Sequence, residues 1–423
     1  MVFRVGLVCR KDVRMPADLR IRVGHLDLPS PVLTAAGCAG SGKELAQFTD
    51  VARIGAITTR SVTLEPRAGN PVPRLTETPS GLLSSVGLQG PGLDGFLQRD
   101  LPWLLSRGAR AFVSIAGHSA REYGELASRL SDAAGVTALE VNLGCPDASA
   151  AGRSFALDPA AAAAVVAAVR GSARYDIPVF AKLSPEVTDI VSVAHACVAA
   201  GADGLSMINT FPGMAIDPVT FRPTLAGLTG GLSGPALRPI AVRCVWQVRE
   251  ALPDVPLIGM GGVRTGRDAL EFLLAGASLV AVGTVLFHDP SACSRIQREL
   301  EEELVARGVD RVSDIIGQAH KPAGYAGERH SWALWVKAGS DVDGDWIPAR
   351  ATRRPVCGKG DWRAQASTGR GGARRARPGH RGPLGGARHA PRVDGEDRSR
   401  ALSPVRPGCR GHGPGRERSA DIS

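Results

Sequence analysis

Cys145 stands near the end of "ALEVNLGCPD" (residues 138–147), where a short apolar run gives way to Asn142, a glycine, a cysteine and a proline. A thiol just past a buried strand is either a small core residue or a reactive group at the strand's mouth. A free thiol titrates near ~8.5, so it moves protons only where its surroundings favour the form required. "VFAKLSPEVTD" sets Lys182 at the end of a second apolar run. Such a lysine needs a counter-charge or an electron-rich ring beside it, unless it snorkels to solvent. Asn142 ends one run, and Asn209 with Thr210 ends another in "SMINTFPGMAID". Two facing amides form a donor–acceptor pair for an amide- or imide-bearing ligand, or else serve their own backbone.

Two glycine segments add a further chemistry. "IGMGGVRTG" (258–266) and "VAVGTVLF" (280–287) each follow an apolar run. Gly261, Gly262 and Gly283 let the backbone approach a phosphate, and Thr284 adds a hydroxyl donor. Plain turn glycines are the alternative reading. The elements that must carry these groups are eight apolar runs, at 32–36, 56–61, 111–115, 138–143, 179–182, 204–208, 257–259 and 279–282. Helical patterns lie between them at 158–170, 189–200, 235–252 and 267–274, the first opening with Asp158 as cap and Pro159 at the first helical position. Buried runs alternating with helices predict an α/β fold, a parallel (β/α)8 TIM barrel. A doubly wound open sheet is the competing architecture, and the glycine segments fit it poorly. In a barrel the chemistry gathers at the C-terminal strand ends, with phosphate at the loops after strands seven and eight. The Gly/Pro-rich segment 64–92 is long for a connector and is expected to reach over that face.

Composition divides the chain of 423 residues. Residues 325–423 hold 20 Lys+Arg against 10 Asp+Glu, which accounts for the whole net charge of +10. The remainder is neutral, so the electrostatic argument for nucleic acid applies to the tail alone and not to the body. The tail is rich in Arg, Gly and Pro, has no hydrophobic period, and lacks aromatic residues after Trp362. It reads as a disordered or frameshifted segment, with a nucleic-acid arm as the minor alternative. The expected domains are an N-terminal extension at 1–15, with Met15 a candidate start, a barrel at 16–323 and the tail at 324–423. Eight cysteines show neither metal-site nor disulfide spacing, which points to a reducing, cytoplasmic setting. No run approaches a membrane span.

The motifs "PVLTAAGCAG", "TLEPRAGNPVPRLTETPSGLLSSVGLQGPG", "LEVNLGCPD", "AKLSPEVTDIV", "MINTFPGMAID", "GGLSGPA" and "GMGGVRTG…AGASLVAVGT" occur in an order that resembles dihydroorotate dehydrogenase, in its soluble, cysteine-using branch. The resemblance covers about residues 20–315. It implies an FMN-bound barrel that oxidises dihydroorotate to orotate in pyrimidine biosynthesis. Cys145 matches the general base. Ala35, Ala36, Gly37, Ser61, Asn142, Lys182, Ile208, Gly234, Gly261, Gly262, Gly283 and Thr284 match positions around FMN. Gly87, Leu88, Asn142, Asn209 and Thr210 match the substrate pocket. Arg60, Ser84 and Asp147 stand at substrate positions where the family usually has lysine, asparagine and asparagine. The resemblance further implies a homodimer, no membrane anchor, and an iron–sulfur flavoprotein subunit as electron-transfer partner, since the chain has no cysteine cluster of its own. No metal site is expected. A related dihydropyrimidine oxidoreductase and a non-catalytic flavin-binding barrel are the alternatives. A chain ending at Ala323 is expected to remain soluble with its flavin content unchanged; insoluble or colourless protein on that truncation would place the tail in the fold.

Overall fold

Eight parallel strands pair in sequence order, β1 (Val32–Thr34), β2 (Ile57–Thr58), β3 (Ala111–Ile115), β4 (Val136–Asn142), β5 (Val179–Leu183), β6 (Gly204–Met207), β7 (Leu257–Met260) and β8 (Leu279–Val282). β8 returns to pair with β1. The gap between β1 and β2 is bridged by backbone bonds, from Gly55 N–H to the Val32 carbonyl at 2.9 Å and from Thr34 N–H to the Ala56 carbonyl at 3.2 Å. The result is the parallel barrel expected from the sequence. The computed structural model describes residues 15–145 and 154–321. Asp147, most of the 1–15 extension and all of the 324–423 tail lie outside them.

Local chemistry explains the helices that cover the strands. Pro159–Ser172 begins with the Asp158 carboxylate accepting from Ala161 N–H, and Pro159 occupies a position whose N–H would have no acceptor. Ile190–Ala199 is capped in the same way by Asp189, and Gly266–Leu274 by a reciprocal Thr265–Asp268 box. The stretch expected as one helix at 235–252 is two elements. A short 3-10 turn, Pro235–Leu237, precedes the α-helix Arg238–Ala251. Pro239 lacks an N–H and is tolerated only in the first turn, so the α-helix starts where the proline permits.

The structure also departs from the strand pattern read in the sequence. A short hairpin, Ile21–Val23 with Leu26–Leu28, precedes β1 and buries Ile21, Val23, Leu26 and Leu28. The segment 64–92 is not all loop. Leu75–Thr78 and Gly81–Ser84 form a hairpin that joins Gly230–Ser233 and Phe211–Gly213 in a four-stranded antiparallel sheet. These strands are contributed by the connections after β2 and β6, and they wall one side of the barrel mouth.

Neighbours across a parallel ladder share a face of the sheet, and the face alternates along each strand. Phe112 pairs with Ala138 and Phe180 pairs with Gly204 across their ladders, and all four share the inner face of the barrel. The Phe112 and Phe180 rings stack with centroids 5.9 Å apart. A Cβ on Gly204 would collide with the Phe180 ring and lie 2.9 Å from the Pro256 carbonyl. A large residue on one strand is thus matched by a glycine on the next. One step toward the mouth the interior becomes polar, with Ser114, Glu140, Lys182 and Ser206 all buried. Phe180→Ala is expected to cost about 3–5 kcal/mol in urea unfolding by leaving a cavity; a loss below about 1 kcal/mol would mean that this ring does not fill the barrel.

Candidate active site

The C-terminal ends of the strands surround a cavity of about 460 Å³. That size suits a cofactor or small-molecule ligand. Ala35 and Ala36 follow β1, Lys182 lies on β5, and Ile208, Asn209 and Thr210 follow β6. Gly261 and Gly262 follow β7, while Gly283 and Thr284 follow β8. The antiparallel sheet adds Gly81, Leu82 and Ser233, and Gly234 follows it. Backbone proximity dictates the glycines here. Gly262 has φ +74°, and a Cβ on it would lie 2.7 Å from the Gly234 carbonyl. Gly234 has φ +99° and would press its own Cβ on Gly81 at 2.7 Å. Thr284 donates from Oγ1 to Ser233 Oγ at 2.8 Å, tying the loop after β8 to the antiparallel sheet.

Lys182 is almost wholly buried, and its Nζ donates to Glu140 Oε1 at 3.5 Å, itself buried on β4. Its positive charge reaches Cys38, whose thiol burial pushes up to about 11 while the ammonium pulls it down. Beside this pair runs a hydrogen-bonded chain of small polar groups. Asn209 Nδ2 donates to Asn142 Oδ1 at 3.2 Å, Asn142 Nδ2 donates to Ser61 Oγ at 3.1 Å, and Ser61 Oγ lies 2.9 Å from Ser114 Oγ. Asn142 Oδ1 also accepts from Gly144 N–H at 3.2 Å, which orients the turn leading to Cys145.

Cys145 is buried just beyond β4 and outside the walls of the main cavity. Burial raises its thiol to about 11, against contact with the Tyr123 hydroxyl and the positive charge of Arg67, which both act downward. Tyr123 donates to the Asn142 carbonyl at 2.6 Å and packs edge-on against Phe155, whose N–H bonds the Cys145 carbonyl at 3.3 Å. Arg67 lies 3.0 Å from His118 Nε2 and donates to the Gly87 carbonyl at 3.4 Å. Gly87 is thus tied to Arg67, whose charge reaches Cys145, and neither Gly87 nor Leu88 lines the main cavity. Gly37 is exposed beside Ala36, and Ser84 sits in the antiparallel sheet opposite Gly231 and Leu75. Arg60 is exposed and opens on a second, smaller cavity of about 210 Å³ with Ser61, Lys43, Glu44 and Asp100.

Sequence reading passed over Glu140, Tyr123, Ser114 and Ser233. Glu140 carried a signal, because it lies two residues before Asn142 and so on the same face of a buried strand. Tyr123 carried none, since a helical tyrosine reads as core. Among the described residues no group of three His, Cys, Asp or Glu side chains could hold a metal ion, and no helix is long and apolar enough to cross a membrane.

The family model described as dihydroorotate dehydrogenase matches residues 18–304. Three curated relatives are each the catalytic subunit of dihydroorotate dehydrogenase B (NAD(+)). The protein of Desulforudis audaxviator is 49% identical over 310 residues, covering 73% of this chain and 100% of its own length. That of a Geobacter species is 48% identical over 300 residues, covering 71% and 97%. That of Trichlorobacter lovleyi is 49% identical over 303 residues, covering 72% and 99%. With a closed parallel barrel, glycine loops after β7 and β8 and a buried lysine at its mouth, the chain belongs to the dihydroorotate dehydrogenase family, flavin-dependent oxidoreductases that oxidise dihydroorotate in pyrimidine biosynthesis.

Proposed function

We propose that this chain binds FMN in the main cavity and oxidises dihydroorotate to orotate beside it, toward the loop that carries Cys145, with Cys145 as the base. The observation that carries the reading is Lys182, a lysine amine held inside the barrel at the wall of the cavity. The surrounding residues suit the cofactor. Gly262 and Gly283 leave room for close approach to a phosphate, and a Cβ on Gly283 would press on Ala35 and Cys38, each at 3.3 Å. Thr284 and Ser233 supply hydroxyls, and Ala35, Ala36 and Ile208 supply an apolar wall. Gly37, Ser61, Asn142, Gly234 and Gly261 complete the set we assign to FMN.

When bound, FMN supplies an acceptor for the hydride that leaves C6 of the substrate. The chain's residues do the rest. The Cys145 thiolate takes the C5 proton, so the two hydrogens lost from dihydroorotate are accounted for. Asn142, Asn209 and Thr210 orient the pyrimidine by hydrogen bonds to its amide groups, with Gly87, Leu88 and Ser84 along its edge. Arg60 is assigned to the substrate carboxylate, which its neighbour Ser61 supports through the bond to Asn142. Asp147, outside the described residues, is assigned to the same pocket. Lys182 holds positive charge where negative charge develops.

The relatives' name, catalytic subunit, supports a separate electron-transfer subunit, which we infer to be an iron–sulfur flavoprotein passing electrons to NAD. Exposed Ile216, Val219 and Phe221 on the arm between β6 and Gly230–Ser233 support a homodimer. The five cysteines among the described residues are unpaired, which supports a cytoplasmic setting.

Anaerobic addition of dihydroorotate is expected to bleach the flavin band near ~450 nm, a region set by the cofactor. A yellow protein that does not bleach would retain the flavin and overturn the substrate. Cys145→Ala is expected to keep the flavin and slow this bleaching by about 10²–10⁴-fold. Because burial raises the Cys145 thiol to about 11, the thiol is protonated at neutral pH and the thiolate fraction grows with pH. Bleaching by the unaltered protein should therefore quicken by roughly tenfold per unit between pH 7 and 10; a rate independent of pH would remove Cys145 as the base.

A further inference from the structure

Glu140 is a buried carboxylate that neither the cofactor nor the substrate assignment uses. Its side chain is 3% exposed and that of Lys182 is 7% exposed. Among the described residues each is the other's charged partner. Glu140 is not part of the cavity wall, whereas Lys182 is. The carboxylate therefore stands behind the ammonium as seen from the cavity. Its position follows from the ladder: Glu140 is opposite Phe180, Asn142 is opposite Lys182, and all four point into the barrel.

We propose that Glu140 is a positioning residue that fixes the Lys182 ammonium and sets the reduction potential of the flavin above it, an inference that rests on the FMN reading. Accepting a hydride adds negative charge to the cofactor. An unopposed ammonium in a dry site would stabilise that charge strongly, because Coulomb energies grow as the local dielectric falls. The Glu140 carboxylate opposes this field from a few ångströms further away. The pair is neutral overall, so reduction of the cofactor is favoured less than beside a lone lysine. A lower potential suits a flavin that must pass its electrons to another acceptor. The same contact restrains a flexible four-carbon stem, so Nζ stays at the cavity wall.

Glu140→Gln separates charge from shape, since the amide is nearly isosteric and keeps an oxygen for the ammonium. The measurement is the flavin midpoint potential of the purified holoprotein, titrated anaerobically against reference dyes. The variant is expected to shift the oxidised–reduced equilibrium at least tenfold toward the reduced form, which is about 30 mV for a two-electron couple. Glu140→Asp keeps the charge but withdraws it from Nζ by one methylene. It is expected to fall between the two, and it provides the same comparison if the Gln variant does not hold flavin. A merely structural role would lower flavin content or thermal stability and leave both potentials where they were. Unchanged potentials with flavin bound overturn the proposal. Unaltered protein that holds no flavin, or that releases a flavin other than FMN on acid extraction, overturns the functional reading instead.

Discussion

A lysine ammonium inside a barrel of apolar strands is tolerated only if something compensates its lost hydration. In this protein the compensation comes from Glu140 on the adjacent strand, and the arrangement of the mouth follows from it. The ladder that brings Lys182 opposite Asn142 also sets Glu140 one layer deeper, opposite Phe180. Toward the mouth from that level the inner side chains are polar, and Phe180 with Phe112 packs at and below it, which divides the barrel into a polar end and a packed end. Replacing such a pair by well-packed apolar groups would cost little or add stability. The retention of charge is thus a matter of chemistry at the mouth rather than of fold strength.

Around that pair the mouth is held rigid by backbone rather than by side chains. Gly81, Gly234 and Gly262 come from three separate connections and approach one another closely enough that a Cβ at any of them meets main-chain atoms. The antiparallel sheet and the loop after β7 are therefore joined at their closest point by glycines. Small hydroxyl and amide groups complete the enclosure, from Thr284 and Ser233 on one side to Asn209, Asn142 and Ser61 on the other. Cys145 lies beyond this network, with its backbone tied to Phe155 and its thiol beside Tyr123. A raised thiol fits a group that waits protonated and acts when a ligand or a nearby cation favours the thiolate.

Much of this was legible in the residues alone, and the reasons are local. Eight short apolar runs bounded by glycine, proline and capping aspartates can hardly be anything but buried parallel strands alternating with helices. Asp158 and Asp189 state where two helices begin. The glycine segments after the seventh and eighth strands announce a close backbone approach whatever the ligand. The hairpin at Leu75–Ser84 was hidden by its composition, because glycines and prolines on both sides give it the look of a loop. Its strands form because Gly230–Ser233, nearly 150 residues later, offers them an edge to pair with.

The types of the reactive groups and the strands that carry them are properties of the sequence, since strand identity depends on hydrophobic period and on turn chemistry within a few residues. Which groups meet is a property of the folded barrel. Lys182 and Glu140 are 42 residues apart, Asn209 and Asn142 are 67, and Asn142 and Ser61 are 81. Their contacts depend on the register between neighbouring strands, and a slip of one residue would turn each side chain to the other face of the sheet. Arg60 illustrates the same limit. Its place at the end of the second strand could be read from the chain, but its opening onto a separate cavity beside Lys43 and Asp100 arises from packing that no short stretch of sequence encodes.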